Sequence, residues 1–345
     1  MSFAFIRRLL SIFSPESTHA WILNNLDWLV NLGVVRRYYR DPVEDPVTVM
    51  GLRFPNTVGL AAGMDADGQR VSAFGGFGFG HIEVGTVTAK PSVRAKGVSL
   101  RQAAETIAYP AGFQSCGADA VLQNLRSAAA FRNRGGILGV NIGADWKGDF
   151  KKGVDEYLVA MRKFYNHCDY LTLNLSCGEA DQAIGSQKSQ LALLLKFVSE
   201  ERQRLIEADG CRSLPIAVKL SLQMDDDASL WLADQVLYYG LDALIVGDGL
   251  RAETPSLCLA GAALKASALH KVDLLYRRFG EDLPVIATGG IMSGDEALSR
   301  VQAGARLVQI YSGLIFNGPM LVADSVDAIA RWRQTQTGSM ASQRP

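Results

Sequence analysis

From Val47 onward the chain alternates short, almost wholly apolar runs with longer stretches in which apolar residues return every three or four positions. Val47 to Met50 and Leu52 to Phe54, joined through Gly51, predict a small hairpin. Further strands are predicted at Val58 to Ala61, Ile82 to Val87, Ile137 to Ile142, Tyr170 to Leu175, Ile216 to Leu220, Ala243 to Val246, Val285 to Thr288 and Leu307 to Tyr311. Continuous apolar runs of this kind belong to strands covered on both faces, where neither side of the sheet meets water. Gly153 to Cys168, Gln187 to Ala208 and Asp227 to Tyr239 carry helical spacing and supply crossovers between parallel strands. Eight such strand–helix units over roughly 270 residues match a closed (β/α)8 TIM barrel in number and size. A doubly wound open sheet is the main competitor, but its Gly-rich turn after the first strand is missing.

The first 40 residues follow another pattern. Phe5, Ile6, Leu9, Leu10 and Phe13 recur at helical spacing with Arg7, Arg8 and Ser11 between them, and Pro15 closes the segment. A second apolar helix from His19 carries Trp21, Ile22, Leu23, Leu26, Trp28, Leu29 and Val30. The arginines lie inside the apolar segment and no small-residue cleavage site follows, which argues against a secretory leader. Two short amphipathic helices with tryptophans and nearby Arg36, Arg37 and Arg40 suit a membrane surface, and a helical hairpin packed on the body or on another subunit is the alternative. The expected organisation is a membrane-associating segment over 1–40 and a barrel over 41–345.

Composition narrows the class. The 345 residues hold 35 basic and 35 acidic side chains, a balance that argues against a nucleic-acid partner, and 48% hydrophobic content excludes a disordered chain. Five cysteines without a C-x-x-C pair fit a reducing compartment, and four dispersed histidines offer no metal-ligand spacing, so a cytosolic body without a metal is expected. No run approaches the ~18 apolar residues of a membrane span.

A barrel places its chemistry at the carboxyl ends of its strands. Those ends read Ala-Ala-Gly-Met-Asp (61–65), Gly-Thr-Val-Thr (85–88), Asn-Ile-Gly (141–143), Asn-Leu-Ser-Cys (174–177), Lys-Leu-Ser (219–221), Gly-Asp-Gly (247–249), Thr-Gly-Gly-Ile (288–291) and Tyr-Ser-Gly (311–313). Gly289, Gly290 and Gly313 let backbone amides approach an anion, and barrels often bind phosphate after strands seven and eight, so a phosphorylated ligand is expected; tight turns alone are the simpler reading. Lys219 ends an apolar strand and must find an anionic partner; it suits a Schiff base, a phosphate or an electron-rich ring. With Asn141 and Asn174 aimed at the same space, this cluster is what a flavin mononucleotide (FMN) ring requires.

At these motifs the chain resembles a known family, the membrane-associated, quinone-dependent class of dihydroorotate dehydrogenases. The motifs are GLAAGMDADG (59–68), GFGHIEVGTVT (78–88), GVNIG (139–143), IAVKL (216–220) and AGARLVQIYSGLIFNGP (303–319). The resemblance implies an FMN-containing barrel, peripheral on the cytoplasmic side of a membrane, whose N-terminal helices open a tunnel for a quinone. It implies flavin contacts from Ala62, Gly63, Thr86, Asn141, Asn174 and Lys219, with Gly290, Tyr311 and Ser312 cradling the phosphate beside Gly289.

The substrate contacts depart from the family. Ala66 stands where the family has a lysine that pairs with the substrate carboxylate, Tyr109 and Glu179 stand where it has amides, and Val246-Gly247-Asp248 replaces its T-N-T. Losing one buried partner of a charge typically costs about 3 to 5 kcal/mol, so dihydroorotate would bind poorly unless other groups substitute. Other groups could do so if the alignment shifts around a shortened loop near Ser92 to Arg101. Cys177 occupies the base position, which is serine in the quinone-linked class and cysteine in the soluble class; a thiolate can take the proton, while a buried structural cysteine is the alternative. Ser176 is the weaker candidate, since adjacent strand residues face opposite sides.

The reading that follows is an FMN oxidoreductase acting on a carbon–carbon bond beside a carbonyl, with Cys177 handling the proton and a substrate other than dihydroorotate. That substrate is expected to offer a cationic or hydrogen-bond-donating group to Glu179 or Asp248. The alternatives are an authentic quinone-dependent dihydroorotate dehydrogenase and a catalytically silent flavin-binding partner at the membrane.

Overall fold

The apolar runs close into a barrel. The computed structural model describes residues 40–94, 97–101, 104–144, 149–175, 188–252 and 257–341. Strands β1 (Val47–Val49) and β2 (Leu52–Phe54) form the expected hairpin, with Met50 and Gly51 at φ 53° and 72° in the two-residue turn. Val49 and Phe54 pack against Ala217, Ala243, Ile245, Ile286 and Leu307, so the hairpin covers one end of the barrel.

Next come β3 (Val58–Leu60), β4 (His81–Val87), β5 (Ser99–Arg101), β6 (Thr106–Pro110), β7 (Ile137–Ile142) and β8 (Tyr170–Asn174). They are followed by β9 (Ile216–Leu220), β10 (Ala243–Val246), β11 (Leu250–Arg251), β12 (Leu257–Gly261), β13 (Val285–Thr288) and β14 (Ala305–Ile310). The barrel closes in the order β10-β13-β14-β3-β4-β7-β8-β9, all parallel, so each predicted barrel strand is present. Ala61, Leu175 and Tyr311 fall just beyond their strands, where the chain turns into the mouth loops, and Ala305 and Arg306 join β14.

The helices Phe150–Phe164, Lys188–Asp209 and Asp226–Tyr238 lie where the spacing places them, shifted toward their caps. Asp149 accepts from the Lys152 N–H at 3.1 Å and Asp225 from the Ala228 N–H at 2.7 Å, which fixes two starts that periodicity leaves open.

A second sheet departs from the predicted pattern. β11, β12, β6 and β5 form a four-stranded antiparallel layer, with Tyr109 opposite Cys258, that contributes residues to the mouth. These strands are only two to five residues long, too short to carry a periodic signal.

Residues 1–39, and with them the expected amphipathic hairpin, lie outside the described residues. Arg40 pairs with Asp324 at 3.2 Å and Asp327 at 2.5 Å on the C-terminal helix Met320–Ala341. Among the described residues no helix is long and apolar enough to cross a membrane.

Candidate active site

The end of β3 is shaped by its own carboxylates. Asp65 is buried and accepts from the Gln69 and Arg70 N–H groups at 3.0 and 2.8 Å; burial pushes its carboxyl up, and those two donors oppose the push. Asp67 accepts from the Cys116 N–H at 2.9 Å. Both acidic residues of the Met-Asp-Ala-Asp-Gly stretch therefore hold the loop, leaving Ala62, Gly63 and Ala66 to line the cavity in the mouth.

At the end of β4, Gly85 takes φ 123°, and a Cβ there would lie 2.3 Å from the Asn141 carbonyl oxygen. Only glycine lets these two strands approach so closely. The turn delivers Thr86, whose hydroxyl donates to Asn141 Oδ1 at 2.7 Å and accepts from Asn174 Nδ2 at 2.8 Å. Asn141 Nδ2 in turn donates to Glu83 Oε1 at 2.8 Å, and Glu83 Oε2 accepts from Tyr170, Thr172 and Gln309 at 3.0, 3.0 and 3.1 Å. A fully buried carboxylate thus ends a one-way relay, Asn174 to Thr86 to Asn141 to Glu83, which fixes how each amide faces the mouth. Burial and the neighbouring Glu83 push the Tyr170 phenol well above its ordinary range. Asn141 is held from two sides in this relay, by Thr86 and by Glu83.

Lys219, at the end of β9, is buried with its Nζ 4.0 Å from Asp248 Oδ1, the anionic partner its position demanded. Asp248, expected to face the substrate, is thereby matched first by Lys219. Across the mouth the turns after β13 and β14 bring Gly289, Gly290, Tyr311 and Ser312 to the cavity wall. Gly290 takes φ 72°, and a Cβ would lie 2.7 Å from the Lys265 backbone nitrogen. Gly313 does different work from that expected of it: a Cβ would meet the Ile291 carbonyl oxygen at 2.1 Å, so it seats one turn against the other. The donor set, Lys219, the hydroxyls of Thr86, Tyr311 and Ser312, the Asn174 amide and glycine-rich turns around one cavity, fits a flavin with a phosphate tail.

Tyr109 and Asp248 line the same cavity, as expected, whereas Cys177, Ser176 and Glu179 lie outside the described residues. Arg94, Phe113 and Gln114, none of them at a barrel-strand end, also line it. They come from the irregular segment after β4 and the turn after β6, whose sequence signal is only a cluster of charges around Lys90, Arg94, Lys96 and Arg101.

The family model described as dihydroorotate dehydrogenase matches residues 46–332. The chain belongs to the dihydroorotate dehydrogenase family. Proteins named dihydroorotate dehydrogenase (quinone) from Pseudomonas savastanoi pv. phaseolicola and Pseudomonas aeruginosa are each 36% identical, over 336 and 340 residues. The alignments cover 94% of this chain in both cases and 96% and 97% of the relatives. The dihydroorotate dehydrogenase of Eimeria tenella solved with ferulenol superposes with a TM-score of 0.81 at 27% identity, covering 94% of this chain and 93% of that one. Its ligand-free form gives 0.79 at 28%, covering 96% and 100%. Within the dihydroorotate dehydrogenase family the similarity is to the quinone-dependent class, and the chain is a flavin-dependent oxidoreductase acting on CH–CH bonds.

Proposed function

We propose that this protein holds FMN in the barrel mouth and oxidises a CH–CH bond beside a carbonyl, passing electrons to a quinone, with dihydroorotate the first substrate to consider. The observation that carries this reading is the meeting of Lys219, Asn174 and Thr86 with the two glycine turns around one cavity. FMN would supply the hydride acceptor. Gly290, Tyr311 and Ser312 would hold its phosphate, and the relay ending at Glu83 would present the Asn174 amide to the ring in one orientation. Lys219, kept in place by Asp248, would favour negative charge at the pyrimidine end of the ring. Cys177 would take the substrate proton. Membrane contact through residues 1–40 belongs to the same reading, since a quinone partitions into the bilayer.

Dihydroorotate is supported by the names of the relatives, both dihydroorotate dehydrogenases. A second reading, a different substrate of the same reaction type, is supported by Ala66, Tyr109 and Asp248 at the cavity wall. Anaerobic mixing with L-dihydroorotate separates them: bleaching of the bound flavin supports the first, and a flavin that only dithionite bleaches supports the second. A purified protein that takes up no flavin on reconstitution would overturn both.

A further inference from the structure

We propose that Arg94 is the group with which this protein recognises a carboxylate on its substrate, the cation having moved from the end of β3 to the segment after β4. The inference rests on reading the cavity as the substrate pocket of an FMN enzyme. At the end of β3 the cavity wall is Ala66, which offers no charge. Arg94 lines the same cavity, with its guanidinium carbon 5.3 Å from the centre of the Tyr109 ring.

The backbone that leads into this arginine is pinned. Its own N–H donates to Gln114 Oε1 at 3.2 Å, and two residues earlier Ser92 and Ser115 exchange backbone hydrogen bonds of 2.9 Å each way. The platform beneath it is equally fixed. Tyr109 lies in β6, paired on both sides by β5 and β12, and its hydroxyl end packs on Gly249, where a Cβ would come within 2.3 Å. A guanidinium laid on an aromatic face is only partly desolvated by the ring, so its planar edge remains available to a carboxylate, which it can bind through two parallel N–H donors.

Charge balance points the same way. The other cation of the cavity, Lys219, is matched by Asp248 at 4.0 Å, while among the described residues Arg94 forms no salt bridge. With Lys219 paired to Asp248, Arg94 is the cation of the described wall left to meet an anionic substrate. The three charges act on one space: against the larger upward push of burial, Arg94 and Lys219 pull the ionisation of Tyr311 down and Asp248 pushes it up. The same arrangement revises the expectation that the substrate meets Asp248 with a cation, since Lys219 already holds that place.

The test is a set of anaerobic titrations of the purified holoprotein, followed by flavin absorbance and in parallel by calorimetry, which needs no flavin signal. The probes are two matched pairs, orotate with uracil and nicotinate with nicotinamide. In at least one pair the carboxylate should bind ten-fold or more tightly than its uncharged partner. Arg94→Gln should abolish that preference while leaving the uncharged partner within two-fold and the flavin content unchanged. Adding Ala66→Lys to Arg94→Gln should restore part of the preference. A wild-type protein that prefers neither carboxylate, or a preference that survives Arg94→Gln, overturns the assignment. An Arg94-dependent preference in a protein whose flavin dihydroorotate does not bleach keeps the assignment and removes dihydroorotate as substrate; bleaching with an Arg94-independent preference does the reverse.

Discussion

The two sides of the barrel mouth obtain their chemistry from different parts of the chain. On the β13–β14 side the wall is backbone: Gly289, Gly290 and the Tyr311–Ser312 turn stand where barrel closure puts them, two residues or fewer beyond the strands. On the other side it is side chains, Arg94, Tyr109 and Gln114, delivered by a separate antiparallel layer and an irregular segment. A backbone wall tolerates few changes because a single Cβ collides with neighbouring main chain. A side-chain wall can exchange one cation for another without disturbing the barrel.

The contrast can be broken most sharply at Gly290. Gly290→Val would push a Cβ to within 2.7 Å of the Lys265 backbone at a positive φ, a strain of about 1 to 3 kcal/mol before any clash is counted. The expected outcome is a folded protein that has lost most of its flavin, read from the absorbance ratio after purification. Retention of stoichiometric flavin would mean that this turn does not hold the phosphate.

Lys219→Met comes next. Removing one preorganised charge aimed at developing negative charge costs roughly 10²- to 10³-fold in rate. Stopped-flow bleaching of the flavin should slow by that order, with flavin still bound. Asp248→Asn should have a smaller effect, since the lysine keeps its place between β8 and β10 even when its partner is neutral.

The opposite end of the barrel separates stability from chemistry. His81 is fully buried on β4, edge-on to Phe54 at 5.3 Å, with neither ring nitrogen hydrogen-bonded among the described residues. Burial alone lowers its pKa to about 3. Between about pH 6.5 and 3 the unfolded chain binds a proton that the folded protein refuses, so this residue's contribution to stability falls as pH falls, by about 1.4 kcal/mol per unit. Urea midpoints at pH 7 and pH 5 should therefore differ by less in His81→Leu than in the parent, with flavin binding at pH 7 unchanged. An identical pH dependence in the two proteins would show that His81 finds a partner.

The smallest expected effect is at Glu83. Glu83→Gln keeps the shape but supplies an amide that can donate to Asn141, so the relay is no longer one-way. The loss should be about 1 kcal/mol in stability, with a changed flavin absorbance envelope and a shifted reduction potential, because the Asn174 amide is no longer held in one orientation. An unaltered spectrum and potential would leave Glu83 a purely structural group.

The barrel was legible because its strands repeat one physical demand. Each is covered on both faces, so Ile137 to Ile142 and Ala243 to Val246 can be read as buried strands without knowing their neighbours. Ala62, Gly63, Thr86, Gly290 and Ser312 were legible for a related reason, since strand-end position alone places them at the mouth. The interior polar layer of Glu83, Tyr170, Thr172 and Gln309 was not, because each residue looks like an isolated exception until three strands, β4, β8 and β14, bring them together.

Taken by itself, the sequence determined the fold class, the positions of the apolar strands and the residues that end them, because these depend on local pattern and on water's exclusion from a covered sheet. Its motifs also determined the family. The tertiary structure alone decided which side chains complete the substrate side. Arg94 reaches the cavity only because Ser92 bridges Ser115 and Gln114 holds the Arg94 backbone, and Tyr109 is a platform only because β6 pairs with β12 more than 140 residues later, at Cys258. Contacts between segments so far apart leave no periodic trace in either one, since the energy that fixes them belongs to the pair.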